Sequence, residues 1–76
     1  MDISGLKTLY RNQQLAEANI IPATQGEGWI LDCKNNEGEG VILTDSLGRE
    51  ACFKSHEMAL SQANEIGFSH VNMPEF

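Results

Sequence analysis

Three clusters of turn-forming residues constrain this chain more than any other feature. Gly26-Glu27-Gly28, Asn35-Asn36-Glu37-Gly38-Glu39-Gly40 and Ser46-Leu47-Gly48 punctuate the middle of the sequence. They leave only short segments between and after them: Trp29 to Lys34, Val41 to Asp45, and Arg49 to Lys54. Short runs separated by Gly, Asn and Asp read as consecutive hairpins, which predicts an antiparallel meander. The Gly-x-Gly pieces lack the third glycine or the lysine of a phosphate loop, and neither opens a helix.

Helical periodicity flanks this region on both sides. Leu6, Leu9 and Tyr10 stand at i, i+3 and i+4, which predicts a helix from Ser4 to about Asn12, capped by Asp2 or Ser4. Toward the other end, Ala59, Leu60, Ala63 and Ile66 form a second stripe. Ser55 is a good N-cap for it, Glu57 suits the helix dipole, and Gly67 fits the left-handed position past the end. Phe68 can then fold back on Ala63. Residues 15–23 stay open between helix continuation and strand: Leu15 to Asn19 favours the first, Ile20-Ile21-Pro22 the second. Pro22 would place such a strand at a sheet edge. Residues 69–76 read as a tail or docking segment. The expected fold is α+β: an antiparallel meander of three or four strands, with an N-terminal helix and a C-terminal helix packed on the sheet, in one small domain spanning 1–76.

Charge narrows the function. Among 76 residues, 11 are acidic and 5 basic, for a net charge of −6. That balance argues against general affinity for a phosphate backbone. Lys7 and Arg11 give the first helix a basic edge. With Arg49 and Lys54 they form the small patch on which a nucleic-acid-binding alternative rests. No apolar run approaches the roughly 18–20 residues that span a bilayer. Met1-Asp2-Ile3-Ser4 has neither the basic nor the apolar region of a signal peptide, so a cytoplasmic chain with reduced thiols is expected. A domain this small buries only about 60% of its unfolded surface, which makes a disulfide, a metal or a second subunit worth testing.

Strand alternation addresses these options. Trp29, Leu31 and Cys33 share one face of their strand, and Ile30, Asp32 and Lys34 share the other. In Arg49 to Lys54, Ala51 and Phe53 face inward while Glu50, Cys52 and Lys54 face outward. The two thiols then lie on opposite faces, out of disulfide reach. The cysteines are nineteen residues apart and the histidines fourteen, far from the paired spacing of structural zinc. No metal and no cofactor is expected. Cys52 and His56 form a candidate reactive pair, since a helix N-terminus lowers a nearby thiol's pKa. Such a pair also needs an orienting group, for which Asp45 or Glu50 could serve, and an oxyanion donor. A surface cysteine beside a helix-start histidine is the favoured reading, and the chain is expected not to be an enzyme. Glu37 and Glu39 read as a solvated acidic turn rather than a calcium loop.

The order helix–strands–helix resembles the double-stranded RNA-binding domain in architecture, but the second helix opens Ser55-His56-Glu57-Met58 where that family has basic residues. Gly28-Trp29-Ile30-Leu31, Phe53-Lys54-Ser55, Ala59-Leu60, Ala63 and Ile66-Gly67-Phe68 together look like the cadence of small bacterial proteins of unknown role, some encoded near mobile elements. This resemblance covers roughly residues 14–68. It implies a bacterial, cytoplasmic origin, and no catalytic residue or substrate.

Ile30 and Ile42 are expected on the face opposite the main core. With Leu6, Leu9 and Tyr10 they would make a second cluster, covered within the chain or by a second copy. A non-catalytic protein-interaction or regulatory module is therefore the leading expectation. Its candidate surface is Ile30, Ile42, Lys7, Arg11, Arg49 and Lys54, and its partner another protein or a homodimer mate.

Overall fold

The computed structural model describes residues 1–23 and 27–73. The elements run α1 (Ile3–Arg11), β1 (Leu15–Pro22), β2 (Trp29–Asn35), β3 (Gly40–Ile42) and α2 (His56–Ile66). The three strands form one antiparallel sheet in the order β1-β2-β3. The fold is the expected α+β meander with a helix before it and a helix packed on it. Gly26 of the first turn cluster lies outside the described residues, as do residues 74–76 of the tail. Among the described residues, no helix is long and apolar enough to cross a membrane.

Each helix begins where its sequence says it should. The Asp2 carboxylate accepts the Gly5 N–H at 2.9 Å, and Ser55 Oγ accepts the Met58 N–H at 3.3 Å. At the far end of α2, Gly67 has φ +137° and the Phe68 N–H returns to the Ala63 carbonyl at 3.1 Å. Phe68 thereby enters the core and meets Tyr10 edge-on, with ring centroids 4.8 Å apart. A Cβ on Gly67 would lie 2.5 Å from that tyrosine ring, so glycine is required both for the backbone and for the ring.

The open segment 15–23 is a strand. Helix α1 stops because Gln13 turns left-handed, φ +61°, an uncommon conformation for a residue with a side chain. The Asn36 side chain holds this corner by donating to the Gln13 carbonyl at 2.8 Å. Released from the helix, Ile20 and Ile21 pair with Leu31 and Ile30 of β2.

The fourth strand expected over Arg49 to Lys54 is reduced to two isolated bridges, Thr44 with Glu50 and Trp29 with Phe53. The segment pairs first with residues 43–45, then crosses to β2, where Phe53 and Trp29 exchange bonds of 2.8 and 2.9 Å. Neither partner is followed long enough to make a ladder. The close approach explains Gly28, which has φ +118° and whose absent Cβ would lie 2.9 Å from the Phe53 carbonyl oxygen. Strand β3 is likewise shorter than the expected Val41 to Asp45.

One cluster forms the core: Leu6 of α1, Ala18 and Ile20 of β1, Leu31 and Cys33 of β2, Leu43, and Ala59, Ala63 and Ile66 of α2, closed by Leu15 and Phe68. Both helices thus serve the same face of the sheet. The chain's own ends cover its edges. Met1 donates to the Ile42 carbonyl at 3.3 Å and accepts from the Thr44 N–H at 2.8 Å beside β3. Asn72 bridges Asn19 on the outer edge of β1.

Candidate interaction surface

Residues paired across strands share a face, so the second face of the sheet can be read from the register. Asn19 and Ile42 flank Asp32, Ile21 flanks Ile30, and Glu17 and Gly40 flank Lys34. Ile30 and Ile42 therefore do share the face opposite the main core. The first helix does not join them: Leu6 lies in the main cluster and Leu9 packs against it, because α1 lies on the α2 side. Ile30 is fully buried and offers no exposed surface, while Ile42 is half-buried.

Asp32 is the buried carboxylate of this face. Its Oδ2 lies 3.1 Å from Lys34 Nζ, and its Oδ1 has no hydrogen-bond partner among the described residues. That oxygen sits against Gly40, where a Cβ would approach it to 2.8 Å. One residue along, on the core face, burial pushes the Cys33 thiol up to about 12, and the Asp32 charge adds to the shift.

Two hairpin tips project from the sheet, and they are built alike. Asn35 Oδ1 accepts the N–H groups of Glu37 and Glu39, both at 2.9 Å, with Gly38 at φ +86°. Asp45 Oδ1 accepts those of Leu47 at 2.9 Å and Arg49 at 3.0 Å, with Gly48 at φ +82°. In each, an Asx side chain replaces missing backbone bonds and a glycine takes the left-handed position. The amides of Arg49 and Leu47 hold the Asp45 carboxyl below its ordinary value. What the tips display differs. The first shows Glu37 and Glu39; the second shows Leu47, 72% exposed, beside the exposed Arg49.

Three of the cations stand beside carboxylates of the chain itself. Lys7 faces Glu65 at 4.0 Å, Lys34 pairs with Asp32, and Arg49 Nε lies 3.7 Å from Asp45 Oδ2. Ile3 lines a groove with Asp45 and Ser46, so the second tip lies near the start of α1. Arg11, at the other end of the helix, is then about 12 Å further along its axis. Lys54 is exposed just before the N-cap of α2.

Cys33 is buried and Cys52 exposed, and both thiols are free. His56 is half-buried and sets its ring edge-on to Trp29, with centroids 6.2 Å apart. Its position is thus tied to the core-facing aromatic of β2. Among the described residues, no three His, Cys, Asp or Glu side chains group as metal ligands would.

Sequence reasoning missed the edge-covering role of Met1 and Asn72 and the matched construction of the tips. Asn35 and Asp45, each three residues before a glycine, were the visible signal for the second. No protein-family model, curated protein or solved structure matches this chain.

Proposed function

We propose that this chain is a small non-catalytic module that binds another protein. One observation carries the reading: the large apolar side chain of Leu47 stands 72% exposed on a turn whose backbone is already fixed. A contact residue held in place before binding loses little conformational entropy on association, which favours affinity. Arg49 beside it adds a planar donor suited to a carboxylate or a carbonyl. The net charge of −6 and the pairing of Lys7 with Glu65 weigh against the polyanion alternative.

The test exploits the two tips. A photo-crosslinking phenylalanine analogue is placed at position 47 in one variant and at position 37 in another, and each is illuminated in its native cell extract. Discrete adducts to one protein from position 47, absent from position 37 and lost on competition with the unlabelled chain, are expected. Equal labelling from both tips, or none from position 47, would overturn the reading. Binding to a random duplex at low salt, weakening steeply as salt rises, would instead favour nucleic acid.

A further inference from the structure

The outer edge of β1 is open to another strand along only one short stretch. At one end the register slips between Leu15 and Glu17, a bulge that disturbs edge pairing. At the other end stands Pro22, which has no N–H to give. Between them, Ala18 and Ile20 turn their backbone groups outward. Asn72 occupies that stretch: its N–H donates to the Ala18 carbonyl at 2.9 Å, and its carbonyl accepts the Ile20 N–H at 2.8 Å. Its side chain reaches across to Glu17 Oε2 at 3.2 Å and Asn19 Oδ1 at 2.9 Å. The pairing is an isolated bridge. A parallel ladder would next need the N–H of residue 74, and residue 74 is proline.

We infer that Asn72 is a guard on this edge, and that its release lets β1 pair with β1 of a second copy about a twofold axis at Asn19. The open stretch fits itself. With Asn19 on the axis, Ala18 of each copy faces Ile20 of the other, and these are the residues whose N–H and C=O point outward. Antiparallel pairing there makes about four ladder bonds and uses neither the bulged residue nor the Pro22 nitrogen. The two Asn19 side chains meet across the axis, and each amide can replace the donor that Asn72 now supplies. The surface belongs to the sheet edge and does not depend on Leu47, so this inference and the interaction reading fail separately.

The test is the oligomeric state of the full chain. Asn72→Pro removes the donor to Ala18 and the side-chain amide together. Asn72→Ala leaves the backbone bridge and removes the amide; because Asn72 is exposed, it spares the core. In sedimentation equilibrium the parent chain stays monomeric. Asn72→Pro doubles its mass at high micromolar concentration, and Asn72→Ala does so more weakly. In the dimer the Ala18 amide, which the Asn72 bridge does not engage, is protected from hydrogen exchange, and dilution removes that protection. Adding Asn19→Asp places like charges face to face and returns the protein to monomer. Should Asn72→Pro fail to fold, Asn72→Ala decides the question. Folded variants that remain monomeric, or a dimer in which the Ala18 amide exchanges freely at every concentration, would overturn the inference.

Discussion

The two faces of β2 are both buried, by different physics. On one, Leu31 and Cys33 are fully enclosed by helical Leu6, Ala59, Ala63 and Ile66. Small alanines let α2 approach the sheet closely, and the stabilisation is apolar burial. On the other, Ile30 is equally inaccessible, but its neighbour Asp32 is a carboxylate 8% exposed that depends on Lys34. The same strand thus carries a face that tolerates no loss of volume and a face that tolerates no loss of charge balance.

The largest expected effect tests the first face. Leu31→Ala should destabilise the protein by about 2–5 kcal/mol, read from the shift in its urea midpoint. A smaller value would mean that the helices collapse onto the sheet.

Removing Lys34 tests the second face. Lys34→Met strands the Asp32 carboxylate and should cost about 1–2 kcal/mol, less than for a fully enclosed pair because the ammonium is partly exposed. The double variant Asp32→Leu/Lys34→Met should recover most of that loss. If it is no more stable than the single variant, the pair matters for more than charge balance.

The thiols distinguish inside from outside. A thiol reagent should modify exposed Cys52 in the folded protein and Cys33 only as the chain unfolds. The folded Cys33 keeps its proton to about 12 against an ordinary value of 9.0, so the unfolded chain loses that proton first. Its contribution to stability is complete below pH 9.0 and declines as pH rises toward about 12. Cys33→Val should flatten that alkaline decline.

The smallest effect lies at the second tip. The Asp45 carboxyl is held below its ordinary value by the Arg49 and Leu47 amides, so its contribution is present above the unfolded pKa and lost as pH falls through the folded one. Asn35 plays the same part at the first tip and does not titrate. Acid should therefore loosen the tip at Leu47 before the tip at Glu37, visible as earlier broadening of its amide resonances.

Much of this was legible beforehand, and particular residues show why. Ser55, Gly67 and Phe68 mark the end of α2 because caps are local chemistry, decided within a few residues. The burial of Cys33 beside Leu31 agrees with strand alternation, which depends only on parity. Whether helix resumed after Asn12 was not legible, since Gln13 is not a residue that announces a left-handed turn. Asn36 stabilises it from 23 residues away. The fourth strand was over-read for a similar reason. Arg49 to Lys54 has a strand's alternation, but two separate partners divide it.

The candidate surface divides the same way. Register placed Ile30 and Ile42 on one face, yet their accessibility depends on what else packs there, and Ile30 has none. The four cations were countable in the sequence, whereas their distribution along α1, the second tip and the approach to α2 depends on how the elements dock.

By itself, then, the sequence determined the turns of the meander, the helix caps and the parity of each strand, because each is settled by neighbours within about one turn. Only the tertiary structure decided that both helices take one face, that Asp32 is buried beside Lys34, and that Met1 and Asn72 close the sheet's edges. The edge closures require groups 40 or more residues apart to find each other, as Met1 finds Ile42 and Asn72 finds Asn19. No local pattern encodes such meetings; they follow from burying one apolar face and satisfying the backbone groups left at its borders.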